Sequence, residues 1–113
     1  MNEQKQDCSD SIAHELGGTA KWRKVTAAKY PDDSSRNIRA SETLNKLAAD
    51  AVNLTDSQWE SLKPYFGGWA SEAWRNGLTQ VARQIGFSHR GKDLESFISV
   101  LARQMSQSTS VAA

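Results

Sequence analysis

The chain has 113 residues, a formal net charge of +1 at neutral pH and a mean hydropathy of −0.63. That is the length of one domain, and so small a charge projects no global field toward nucleic acid, an anionic membrane or an acidic substrate. The single cysteine, Cys8, rules out an internal disulfide and a cysteine-rich zinc site. The opening MNEQKQDCSD has none of the apolar run of a secretory signal. No stretch approaches the ~18 apolar residues of a membrane span. A cytoplasmic protein with no membrane partner is expected.

Charge is nevertheless distributed unevenly. Before Gly17, Lys5 stands against Glu3, Asp7, Asp10 and Glu15; over residues 21–46, Lys21, Arg23, Lys24, Lys29, Arg36, Arg39 and Lys46 outnumber Asp32, Asp33 and Glu42. A solvated helix surface accounts for such a run, and a side facing a polyanion is the alternative.

Residues 1–18 read as a flexible leader. Ser9 or Asp10 is placed to cap a short helix carrying Ile12, Ala13 and Leu16, with Gly17-Gly18 stopping it. Thr19 then caps a helix to about Tyr30, with Trp22, Val25 and Ala28 on its apolar face. Pro31 ends it, because the residue before a proline is pushed out of the helical region. Asp32, Asp33, Ser34 and Ser35 supply candidate caps for a helix over about 35–52 with Ile38, Leu44, Leu47, Ala48, Ala51 and Val52.

The sharpest local signal follows. Thr55 and Gln58 have the spacing of a capping box, and Leu54 and Trp59 flank it as a hydrophobic staple. Trp59, Leu62 and Phe66 continue the apolar face, and Pro64, too deep for a first-turn proline, predicts either a kink or an end near Lys63 with one further turn. After Gly67-Gly68, a helix from Trp69 places Ala70, Ala73, Trp74, Gly77, Leu78, Val81, Ala82 and Ile85 on one side and Glu72, Arg75, Asn76, Thr79, Gln80 and Arg83 on the other. Gly86 suits the position just past a helix end, with Phe87 folding back. A basic loop, 88–92, precedes a last helix opened by Lys92 or Asp93. It carries Leu94, Phe97, Ile98, Leu101 and Met105, with Arg103 near its end, and residues 106–113 read as a disordered tail.

Little in the sequence points to catalysis. His14-Glu15 begins like the zinc motif HExxH, but Gly18 occupies the second histidine's place. His89, the other imidazole, sits in a loop, and the carboxylates are scattered over polar faces with no pair poised for acid–base work. No nucleophile-elbow or P-loop spacing is present, so neither an enzyme nor a cofactor or metal is expected.

Val81-Ala82 followed by Ile85-Gly86-Phe87 resembles the first helix and turn of helix-turn-helix DNA-binding units, and GFSHRGKDLESF is similar to the second such motif of AraC-type regulators. The resemblance implies that Arg90 and Lys92, at the mouth of the last helix, meet phosphates. In the general pattern the inward apolar places of the second helix fall on Lys92 and Glu95, about two residues out of phase. In the AraC-type pattern Asp93 stands where an aromatic residue is expected.

The sequence therefore predicts an all-α fold of four or five short helices, in an orthogonal or bundle-like domain over 19–105. Its core is Trp22, Val25, Ile38, Leu44, Leu47, Ala51, Trp59, Leu62, Phe66, Trp74, Leu78, Val81, Ile85, Phe87, Leu94, Phe97, Ile98 and Leu101. The expected function is a non-catalytic interaction or regulatory module that binds a protein partner or itself, with nucleic acid as the alternative partner. Candidate partner-binding residues are Trp69, Arg75, Arg83, His89, Arg90 and Lys92.

Overall fold

The computed structural model describes residues 3–67, 71–85 and 90–112, with side chains to residue 107. Five α-helices follow one another: α1 (Glu3–Lys29), α2 (Ser34–Asp50), α3 (Asp56–Leu62), α4 (Glu72–Gln84) and α5 (Leu94–Ala112), with 3₁₀ turns at Pro31–Asp33 and Lys63–Tyr65. The fold is all-α, and no described helix is long and apolar enough to cross a membrane.

The main correction concerns the front of the chain. Residues 3–29 form one 27-residue helix, about 40 Å long at 1.5 Å per residue, which runs straight through Gly17-Gly18. Cys8, Ile12, Leu16, Ala20 and Ala27 line its buried stripe, so the expected leader belongs to the core. Two glycines weaken a helix by about 1 kcal/mol each relative to alanine, and packing on one continuous face outweighs that. The restart at Thr19 also set the wrong phase: Trp22 and Val25, expected inside, are 46% and 51% exposed, while Arg23 is buried. Ile38 is likewise 41% exposed, because α2 turns Asn37, Ala40, Ser41, Leu44 and Leu47 inward. Asp33 takes the N-cap position of α2 but makes no side-chain capping bond.

The middle of the chain follows its local signals closely. The Thr55 hydroxyl accepts from the Gln58 amide N–H at 3.1 Å, and the Gln58 side chain accepts from the Thr55 N–H at 2.9 Å. Gln58 also donates to Glu95 at 3.1 Å, tying α3 to α5. Leu54 and Trp59 are both buried, and the 3₁₀ turn at Pro64 ends the helix where proline removes an N–H donor. Phe66 sits edge-on to Trp59 and Trp74, with ring centroids 6.0 and 5.2 Å apart.

Ser71 caps α4 by accepting from the Trp74 N–H. Trp74, Gly77, Leu78, Val81 and Ala82 face inward as expected, whereas Ala73 is exposed. Gly77 allows close approach of α5, since a Cβ there would run into Met105 Sδ. Trp69, Ala70, Gly86 and Phe87 lie outside the described residues. Gly91, at φ +80°, makes the turn into α5, where Asp93 accepts from the Ser96 N–H at 2.8 Å. The last helix continues through residue 112 instead of ending near 105, which leaves Arg103 in its interior. Phe97, Ile98, Leu101 and Met105 are buried, and Leu94 is half-buried against the same cluster.

Two expectations follow. Neither Gly17 nor Gly18 has an atom within 4 Å of where a Cβ would stand. Gly17→Ala and Gly18→Ala should therefore each raise unfolding stability, by about 0.5–1 kcal/mol in urea titrations. Cys8 is fully buried, and burial pushes its thiol from 9.0 up to about 12. A thiol-alkylating reagent at pH 8 should leave native protein unmodified and label it once urea opens α1. Because this folded-state pKa is raised, Cys8 favours the folded state below about pH 9 and loses that contribution as the pH climbs toward about 12.

Candidate interaction surface

Arg23 organises the far end of the α1–α2 hairpin. The helical phase of α1 points it inward, 5% exposed, yet its long side chain reaches polar partners instead of apolar ones. One terminal nitrogen donates to Asn37 Oδ1 on α2 at 3.1 Å, and the other donates to the backbone carbonyl of Arg83 at the end of α4. Asn37 is held in turn by donating to the Asp33 carbonyl at 3.0 Å. One guanidinium thus ties three helices together where the apolar core runs out. Burial first, then the like charges of Arg36 and Arg83, holds its pKa below the ordinary arginine value.

Trp22 lies beside this knot. The Arg23 guanidinium is 4.8 Å from its ring centroid and that of Arg83 is 5.4 Å away, so two cations engage one exposed indole. Val25, Tyr30 (60% exposed) and Ile38 add apolar surface around the same end, within a cationic field from Lys21, Lys24, Lys29, Arg36 and Arg39. Asp32 and Asp33, at the tip of the turn, are the acidic residues there.

The candidate residues from the sequence are not gathered into one site. Arg83 joins the Trp22 cluster, whereas Arg75 is exposed on α4 two turns earlier. Arg90 lines an open groove between α4 and α5 with Val81, Gln84, Val100 and Arg103, and Lys92 is exposed just before α5. Trp69 and His89 lie outside the described residues. What the sequence did not reveal is Trp22 as an exposed side chain beside the buried Arg23 and Asn37. The signal was available: Cys8, Ile12, Leu16, Ala20 and Ala27 recur at helical spacing, and Arg23 falls on the same stripe once the glycine pair is not treated as a stop.

α4 ends at Gln84 and α5 begins at Leu94, with residues 86–89 outside the described residues, whereas helix-turn-helix units join their two helices by a turn of about three to four residues. The N-terminus of α5, where a phosphate would be held, is already occupied by the Asp93 carboxylate. It accepts from both the N–H and the hydroxyl of Ser96, and these bonds hold its pKa below the usual carboxylate range. Glu95 follows two residues later.

No protein-family model, curated protein or solved structure matches this chain.

The arginine knot gives a mutational expectation. Arg23→Ala leaves Asn37 Oδ1 and the Arg83 carbonyl without their donors and should cost about 2–3 kcal/mol of unfolding stability. Arg83→Ala leaves that carbonyl bond in place and should cost less than about 1 kcal/mol. Comparable losses for the two variants in urea denaturation would remove Arg23 from this role.

Proposed function

We propose that the chain is a non-catalytic helical interaction module that binds a protein partner through the end of the α1–α2 hairpin around Trp22. The observation that carries this reading is the exposure of Trp22, Val25, Tyr30 and Ile38 on well-formed helices and their connecting turn; among the described residues they are four of the five large apolar side chains that are exposed, the fifth being Val52 just past α2. Tryptophan, tyrosine and arginine are the residue types that dominate binding energy at protein interfaces. Here Trp22 stands beside Arg83, and Tyr30 is exposed at the end of α1, where the Arg23–Asn37 bond joins α1 to α2. Among the described residues, the pKa shifts at Cys8, Arg23 and Asp93 arise from burial and helix capping in separate parts of the fold, which supports a role other than acid–base chemistry.

The cationic field at the same end keeps nucleic acid as the competing partner, and salt separates the two. The full chain is used as bait in lysate with and without nuclease treatment, beside Trp22→Ala and Tyr30→Ala variants. The wild type should retain a protein partner from about 50 to about 300 mM salt, and Trp22→Ala should weaken it tenfold or more, which is about 1.4 kcal/mol. Trp22→Ala should leave unfolding stability within about 0.5 kcal/mol of wild type, as for other exposed substitutions. Retention of nucleic acid alone, lost steeply over the same salt range, would overturn the reading.

A further inference from the structure

The outward face of α1 is divided by charge. Asp7 and Asp10 lie on it toward the N-terminus, Lys21 and Lys24 toward the C-terminus with Lys29 one turn beyond, and Gly17-Gly18 between the two halves. The charged residues of this face are all exposed, and among the described residues Asp7, Lys21, Lys24 and Lys29 form no ion pair within the chain. At the midpoint a shallow groove of about 550 Å³ opens between α1 and α2, lined by Ala13, Gly17, Gly18 and Ala20 together with His14, Lys21 and Lys24, and bounded by Ser41 and Asn45. The glycine pair has no packing role inside the chain that would require it, since a Cβ at either position would meet nothing within 4 Å.

We infer that this face is a self-association surface on which a second copy of the chain lays its own α1 antiparallel, crossing at Gly17-Gly18. A two-fold axis between the two glycines sets Lys24 of one copy against Asp10 of the other, and Lys29 against Asp7. Both sets of pairs form at once, because a two-fold interface uses the same patch twice. Parallel pairing would instead bring acid to acid and base to base. The crossing point is where two helix backbones must approach most closely, and it is the one stretch of α1 without Cβ atoms. The groove beside it receives side chains of the second helix. An interface of this kind is polar and salt-sensitive, because exposed ion pairs are screened within about 10 Å at about 0.1 M salt. The face shares Lys21, Lys24 and Lys29 with the surroundings of the Trp22 end, but the inference does not depend on the partner reading of that end. A monomeric chain would leave that reading intact, and Trp22→Ala tests that reading without touching the acidic and basic halves of the ladder.

The test is sedimentation equilibrium of the full chain with its charge-reversed variants. The wild type should be dimeric at about 50 mM salt and shift toward monomer at about 500 mM. Lys21→Glu/Lys24→Glu/Lys29→Glu should be monomeric by itself, and so should Asp7→Lys/Asp10→Lys. Mixed in equal amounts, the two variants should form a one-to-one heterodimer. Gly18→Leu should be monomeric while keeping its helical circular dichroism, since the position is open within the chain. A wild type that stays monomeric at low salt, a dimer that survives either charge reversal, or a mixture that fails to reassociate would each overturn the inference.

Discussion

α1 is the constraint on which the other helices depend. Its buried stripe supplies one wall of the core, and each polar residue inserted into or beside that stripe fixes a different neighbour. Ser9 accepts from the Leu54 N–H and so anchors the approach to α3; Ser11 accepts from the Trp74 indole and anchors α4. The Ala20 carbonyl receives the Ser41 hydroxyl of α2, and Arg23 holds both α2 and the end of α4. Lys5 pairs with Asp56 at 2.9 Å on the surface above, a contact worth little by itself in open solvent. These bonds are spread along the whole helix, so a break at Gly17-Gly18 would separate the half that positions α3 from the half that positions α2 and the end of α4. Cooperative packing keeps the helix whole despite its least favourable residues.

The same continuity shapes the electrostatics. Acidic residues gather in the N-terminal half of α1 and basic residues in its C-terminal half, the arrangement that complements the helix dipole. A net charge of +1 therefore conceals the division of charge along α1. The cationic half of that helix lies with Trp22, Val25, Tyr30 and Ile38, four of the five large apolar side chains exposed among the described residues. There Arg23 acts from beneath as a structural strut, while Trp22, Tyr30 and Arg83 offer contact area on top. Large aromatic residues on a frame locked by buried hydrogen bonds bring contact area with little ordering cost, which is what a binding surface needs.

The corner between α4 and α5, the other region with a functional look, is better explained by packing. Gly91 at positive φ, Ile85 against it and the Asp93 cap together turn the chain so that Phe97, Ile98 and Leu101 complete the core. Arg90 and Lys92 remain solvated beside it, with Asp93 and Glu95 close enough in sequence to oppose an incoming phosphate.

The sequence by itself determined the elements whose signals are local. The all-α class, the Thr55–Gln58 capping box, the proline-ended α3, and the inward faces of α4 and α5 were all legible, because caps, prolines and 3.6-residue periodicity act within a few residues. The tertiary structure decided what depended on distant partners. It alone showed that Gly17-Gly18 does not end a helix, that Cys8 is core, and that Trp22, Val25 and Ile38 face solvent while Arg23 does not. Glycine's cost is a small local penalty, and α2 and α4 packing along both halves of α1 overrides it. Once the helix is continuous its phase is fixed by Cys8, Ile12 and Leu16, and that phase turns Arg23 inward and Trp22 out. The candidate surface is a consequence of that phase, which local signals on either side of the glycines could not supply.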